Sequence, residues 1–198
     1  MAETEIIAHR RNLIDQLRET PTDQGIEVDI RSQGDRLVIH HDPFAEGGDF
    51  EAWLAHYRHG TLILNVKEEG LEARLLALMA ARGIERFFFL DQSFPFLVRA
   101  ARAGERRCAV RVSEYESVET ALAIAPMIDW VWVDIFTPAL PRAEDLRALK
   151  AAGLKLCLVS PELQGRPPAE EAAQLRAHAA AAGIAFDAVC TKEPALWR

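Results

Sequence analysis

Eight short runs rich in apolar and β-branched residues recur along the chain: 6–9, 25–31, 61–67, 86–93, 107–113, 130–136, 155–160 and 186–191. Most are separated by stretches with helical spacing. Phe50, Leu54 and Tyr57 follow i, i+4, i+7, and Leu71, Leu75, Leu78 and Met79 follow i, i+4, i+7, i+8. Each set lays an apolar stripe along one helix face. Gly83, Gly104, Gly153 and Gly183 stand where helices should stop ahead of the next strand. Glu144-Asp145 and Glu170-Glu171 fall early in their helices, where the dipole favours negative charge.

Strands alternating with helices predict a parallel sheet, either doubly wound or closed into a barrel. No glycine-rich phosphate loop follows the first strand, which weakens the dinucleotide-binding alternative. The expected fold is therefore α/β, a compact (β/α)8 TIM barrel in a single domain spanning residues 1–198. It is small against the roughly 250 residues usual for that architecture. Residues 29–41 break the alternation, reading as strand, polar turn at Gly34, and second strand. A β-hairpin extension after the second strand would carry His41 back towards the mouth.

Composition narrows the partners. The chain has 198 residues, 49% hydrophobic and 27% charged, enough for a full core. A net charge of −7 without a basic tract argues against nucleic acid and against electrostatic docking to anionic lipid. The acidic start Met1-Ala2-Glu3-Thr4-Glu5 lacks the basic and apolar regions of a secretory signal. No apolar run approaches the roughly 18 residues of a membrane span. Cys108, Cys157 and Cys190 each lie in a strand-like run. Odd in number and without C-x-x-C spacing, they read as buried reduced thiols of a cytoplasmic protein.

In a barrel the reactive groups gather at C-terminal strand ends. Those ends read His9-Arg10, Glu27-x-Asp29, Asn65-x-Lys67, Asp91-x-Ser93, Arg111-x-Ser113, Asp134, Ser160 and Thr191-Lys192. Glu27 and Asp29 are two apart on a strand and share a face. Two such carboxylates repel unless a cation lies between them, and hard oxygen donors suit Mg²⁺, Ca²⁺ or Mn²⁺ rather than zinc. The alternative is a solvated edge, or an ion pair with Arg31. Arg111 and Lys192 either contact substrate or neutralise inner acids, and Asp91 and Asp134 either bind a hydroxyl or pair with those cations. Asp42 either orients His41 or begins the Asp-Pro-Phe turn. His40 alternates with His41 and should face away, while His56, His59 and His178 read as surface.

The order His9-Arg10, Glu27-x-Asp29, His41-Asp42-Pro43 and Val66-Lys67 resembles the glycerophosphodiester phosphodiesterase family, as do Asp91-Gln92-Ser93-Phe94 and the closing 186–194 segment. The resemblance implies a barrel that hydrolyses a small phosphodiester with a divalent metal. His9 and His41 would be its general acid–base pair, Glu27, Asp29 and Asn65 would hold the metal, and Arg10 and Lys67 would hold phosphate oxygens. Arg111 and Lys192 are further candidates for substrate contact. The sequence departs from the family at Asn65, where the third carboxylate is expected, at Arg11 in place of glycine, and at Lys192 in place of an acid. The family's E-N-T entry to the first helix is missing, and a short 43–49 loop predicts an open mouth. Three other readings follow: a silent barrel that binds a phosphorylated ligand, a lyase forming cyclic phosphates, and a Schiff-base aldolase using Lys67.

Overall fold

The computed structural model describes residues 4–198; the first three residues of the acidic N-terminal stretch lie outside them. The first half of the chain runs β1 (Glu5–Ala8), α1 (Ile14–Glu19), β2 (Gly25–Gln33), β3 (Arg36–Ile39), β4 (Gly48–Asp49), α2 (Phe50–Leu54), β5 (Leu62–Val66), α3 (Glu72–Ala81), β6 (Phe87–Leu90) and α4 (Phe94–Arg102). The second runs β7 (Ala109–Val112), α5 (Val118–Ile124), β8 (Trp130–Val133), α6 (Ala143–Ala151), β9 (Lys155–Val159), α7 (Pro168–Ala181) and β10 (Ala188–Thr191). Every predicted apolar run contains a strand, although several are shorter than expected. The 86–93 run, for example, is extended only over Phe87–Leu90, because Asp91 turns into the left-handed region and Ser93 begins α4.

Parallel pairing links β6 to β5, β5 to β2, β2 to β1, β1 to β10, β10 to β9, β9 to β8 and β8 to β7. The eight strands form a curled sheet with helices outside. Between β6 and β7 a single parallel bridge joins Phe89 to Cys108. The outer part of β2 continues past its parallel neighbours and pairs antiparallel with β3, Ile30 opposite Ile39 and Gln33 opposite Arg36. Gly34, at φ 63°, supplies the turn between them.

Strand alternation divides the core into two layers. Ile26, Val28 and Ile30 of β2, Leu62 and Leu64 of β5, and Phe87 and Phe89 of β6 face the helices. Ile7, Ile63, Phe88, Trp130, Trp132 and Cys190 fill the inside of the curl. The same parity turns Glu27, Asp29 and Asn65 inward. All three cysteines are buried and unbridged. Among the described residues no helix is long and apolar enough to cross a membrane.

Gly25 stands where β1, β2 and β5 converge. A Cβ there would lie 2.6 Å from the Thr61 carbonyl oxygen and 3.0 Å from Cγ1 of Ile7. Backbone cannot move aside as a flexible side chain can, so Gly25→Ala is expected to destabilise the fold by about 1–3 kcal/mol. Denaturant unfolding measures this, and an unchanged midpoint would contradict the packing account.

Candidate active site

His9, Arg10, Glu27, His41, Asn65, Lys67, Arg111 and Lys192, all singled out from the sequence, line one open cavity of ≈ 220 Å³ inside the mouth of the curl, with Asp91 and Asp134. Asp29 is fully buried beside it, on the same inner face as Glu27, and meets Arg10 and Lys67 of the cavity lining.

The two acids are held by different donors. The Oε2 atom of Glu27 accepts the backbone N–H of Arg10 at 2.7 Å, and Oε1 accepts the amide Nδ2 of Asn65 at 2.7 Å. The Oδ2 atom of Asp29 accepts Nδ2 of Asn12 at 2.9 Å, while the backbone N–H of Asp29 donates to Oδ1 of Asn12 at 3.1 Å. The Asp29 Oδ1 lies 3.2 Å from Nζ of Lys67, and Nε of Arg10 lies 3.6 Å from Oδ2. Burial, and then the charge of Asp29, push the Glu27 carboxyl above the usual carboxylate range. Asn12 was not among the sequence candidates. Its only signal in the sequence is an amide side chain close after His9-Arg10.

Arg10 is in the left-handed region at φ 50°, which turns its N–H towards Glu27. This bend is braced on both sides: Arg11 N–H donates to the Glu27 carbonyl at 3.0 Å, and Nε1 of Trp53 donates to the Arg11 carbonyl at 2.8 Å. His9, at the end of β1, places Nε2 3.8 Å from Oε2 of Glu27. Burial, reinforced by the positive charges of Arg10, Lys192 and Lys67, lowers its pKa to about 3, so the ring is neutral.

His41 reaches the same cavity after the antiparallel β2–β3 pair. Its Nδ1 lies 2.7 Å from Oδ1 of Asp42, which fixes the ring, and this hydrogen bond holds the Asp42 carboxyl below its ordinary range. Of the two readings of Asp42, orientation of His41 is the one its geometry favours. Arg31 secures the loop, donating Nη2 to the His41 carbonyl at 2.9 Å and Nη1 to the Lys67 carbonyl at 3.4 Å. His40 instead turns Nδ1 to the backbone of Asp42. His59 and His178, read as surface, are partly buried and bind the carbonyls of Thr20 and Pro141 at 3.0 and 2.7 Å. Exposed His56 keeps the surface reading.

Around the rim, charges alternate. Nζ of Lys67 sits 3.2 Å from Asp29 and 3.1 Å from Asp91. Arg111 pairs with Asp91 on one side and, at 2.8 Å, with Asp134 on the other. Asp134 also accepts Nε2 of Gln164 at 2.7 Å, and burial raises its pKa. Arg111 therefore neutralises inner acids. The side chain of Lys192 makes no ion pair among the described residues, although its backbone N–H is held by Glu162 at 2.8 Å.

Among the described residues no three His, Cys, Asp or Glu side chains are arranged to hold a metal. Oδ1 of Asn65 is, however, a buried oxygen without a hydrogen-bond partner, and Oδ1 of Asp29 is a buried oxygen whose one close partner is the Lys67 ammonium at 3.2 Å. With Glu27 they make an oxygen set of the chemistry a hard divalent cation takes, one negative charge short of three carboxylates.

No protein-family model matches the sequence, and no curated protein is similar to it. Solved structures are similar in fold. A glycerophosphodiester phosphodiesterase from Agrobacterium tumefaciens superposes with TM-score 0.69 at 17% identity, over 98% of this chain and 97% of that one. A glycerophosphoryl diester phosphodiesterase from Parabacteroides distasonis gives TM-score 0.62 at 16% identity, over 98% of this chain and 84% of that one. At such identity the likeness is one of fold.

The state of His9 is directly measurable. Its NMR ring signals are expected to stay constant from pH 8 down to about pH 4 and to move only towards pH 3. Because the folded pKa lies below the ordinary 6.5, the stability linked to neutral His9 is present above pH 6.5 and is lost as pH falls towards 3. Titration of this ring near 6.5 would contradict the burial account.

Proposed function

We propose that the chain is a compact (β/α)8 barrel that hydrolyses a small glycerophosphodiester-like phosphodiester, with His9 and His41 as its proton-transfer pair. The observation that carries this reading is the convergence of both histidines with Arg10, Lys67, Arg111 and Lys192 on one small cavity. The fold likeness to two phosphodiesterases agrees with it, and the Phe89–Cys108 bridge supports closure of the sheet. The three unbridged cysteines support a cytoplasmic setting.

A phosphodiester in this cavity meets cations on several sides, which stabilise charge on the transferring phosphoryl group. Neutral His9 is the base: it takes a proton from water as the water oxygen attacks phosphorus. His41, oriented by Asp42, gives a proton to the departing alcohol oxygen. Glu27, 3.8 Å from the His9 ring, favours the imidazolium once it forms. Glu27, Asp29 and Asn65 would hold a divalent ion, Mg²⁺ or Ca²⁺ with Mn²⁺ as an alternative. Such an ion supplies Lewis-acid stabilisation of phosphoryl oxygens when bound.

One observation favours a second reading, a silent barrel that binds a phosphorylated ligand. Asn65 engages Glu27 through its amide nitrogen, so it acts as a donor to the acid rather than as a third acid. The aldolase reading is disfavoured, since Nζ of Lys67 is engaged by both Asp29 and Asp91. The cyclising outcome differs only in the nucleophile, and product analysis distinguishes it.

Turnover of glycerophosphodiesters and an aryl phosphodiester, with each metal and with chelator, tests the proposal. His9→Ala and His41→Ala are each expected to lower kcat by about 10²-fold or more with the fold retained. No metal-dependent turnover of any diester would favour the binding barrel. Asn65→Glu is expected to tighten binding of Mg²⁺ or Ca²⁺ and Asn65→Leu to weaken it, because hard cations gain affinity from ligand charge. Calorimetric titration reads both, and no change in either would place Asn65 outside the coordination sphere.

A further inference from the structure

A second cavity, of ≈ 590 Å³, adjoins the one that holds the histidines. The two share Leu90, Asp91 and Arg111 as lining residues, so they meet where Arg111 pairs with Asp91.

The place of this second cavity follows from a gap in the sheet. The strand pairing of β6 with β7 is a single bridge, Phe89 with Cys108. Just past that bridge the cavity is lined by Leu90 of β6 and by Ala109 and Val110 of β7. Successive residues of a strand point to opposite faces. Leu90 and Ala109 belong to the layer inside the curl, whereas Val110 and Leu97 of α4 belong to the layer under the helices. A groove between two helices would stop at the outer layer. This cavity takes its lining from both layers and so passes through the sheet. It forms a slot from the histidine cavity, between β6 and β7, to a solvent end at exposed Tyr115 and Thr120 beside α5.

Volume and polarity assign the slot an occupant. At ≈ 220 Å³ the histidine cavity falls below the roughly 300–1,000 Å³ usual for small-molecule sites, and at ≈ 590 Å³ the slot falls within it. A phosphodiester carries two ester groups, and the slot gives the second a way out of the small cavity. Leu90, Leu97, Ala109 and Val110 are apolar and buried. The charges at the junction, Asp91 and Arg111, already pair with each other. A strongly hydrated group gains nothing along such walls, whereas hydrocarbon gains by leaving water.

We propose that the slot is the subsite for a hydrocarbon ester group of the substrate. The phosphorus lies at the histidines and the hydrocarbon passes between β6 and β7. The placement of the phosphorus rests on the proposed phosphodiesterase reading; binding of hydrocarbon in the slot does not.

Two measurements on the full chain test this. The first is kcat/KM, with divalent metal present, for glycerol phosphate esterified with methanol, butanol or hexanol. It is expected to rise by about tenfold or more from the methyl to the butyl ester, since each buried methylene is worth about threefold or more. Thr120→Trp, at an exposed position outside the proposed catalytic set, fills the slot from its outer end, and circular dichroism verifies the fold. The variant is expected to lose the preference for longer chains and to keep wild-type turnover of the methyl ester. The second measurement is NMR of the Leu97 and Val110 methyl groups. Saturating hexyl phosphate is expected to shift them, and glycerol phosphate to leave them in place. Chain-length independence in the wild type, an undiminished preference in Thr120→Trp, or unmoved methyl signals would each overturn the proposal. Turnover without chain-length preference or methyl shifts would refute the slot and leave the phosphodiesterase reading standing. Methyl shifts without turnover of any diester would do the reverse.

Discussion

The mouth of this molecule is organised by the burial of two carboxylates two residues apart on one strand. Glu27 and Asp29 are both fully buried, in a region where each ion loses several kcal/mol of solvation unless donors replace the water. Two asparagines, one backbone N–H and the ammonium of Lys67 supply that replacement. The unusual backbone at Arg10 follows from the same demand, since only a bent chain turns its N–H onto Glu27. Trp53, distant in sequence, braces the bend through Arg11.

From Asp29 the compensation propagates. Lys67 is shared with Asp91, Asp91 with Arg111, and Arg111 with Asp134, so alternating charges run across β2, β5, β6, β7 and β8. Each cation on this path is already partnered by carboxylates, and an arriving anion must compete for it. Lys192 stands outside the path. In the proposed phosphodiesterase an approaching phosphate would meet its charge without displacing an existing pair, whereas Lys67 and Arg111 are already paired.

Much of this was legible in the sequence because strand parity is strict. The alternation of Ile26, Val28 and Ile30 towards the helices leaves Glu27 and Asp29 no direction but inward, and Leu62 and Leu64 do the same for Asn65. The Gly34 turn likewise made the return of His41 readable. Asn12 was not readable, because it lies in an irregular segment where no period ties a side chain to a face. His59 and His178 misled for a related reason: helical position indicated exposure, whereas their carbonyl partners come from other segments.

The single bridge between β6 and β7 has a consequence for the way the molecule breathes. Elsewhere each strand is held to its neighbours by a ladder of two or more registered residues, but here a single registered pair, Phe89 with Cys108, makes the strand bridge. Parting the sheet at this line gives up the least hydrogen bonding, so sub-global opening should start there rather than around the rest of the curl. The rim pairing of Asp91 with Arg111 crosses the same line. An anion competing for Arg111 would therefore act on one of the contacts that cross the seam.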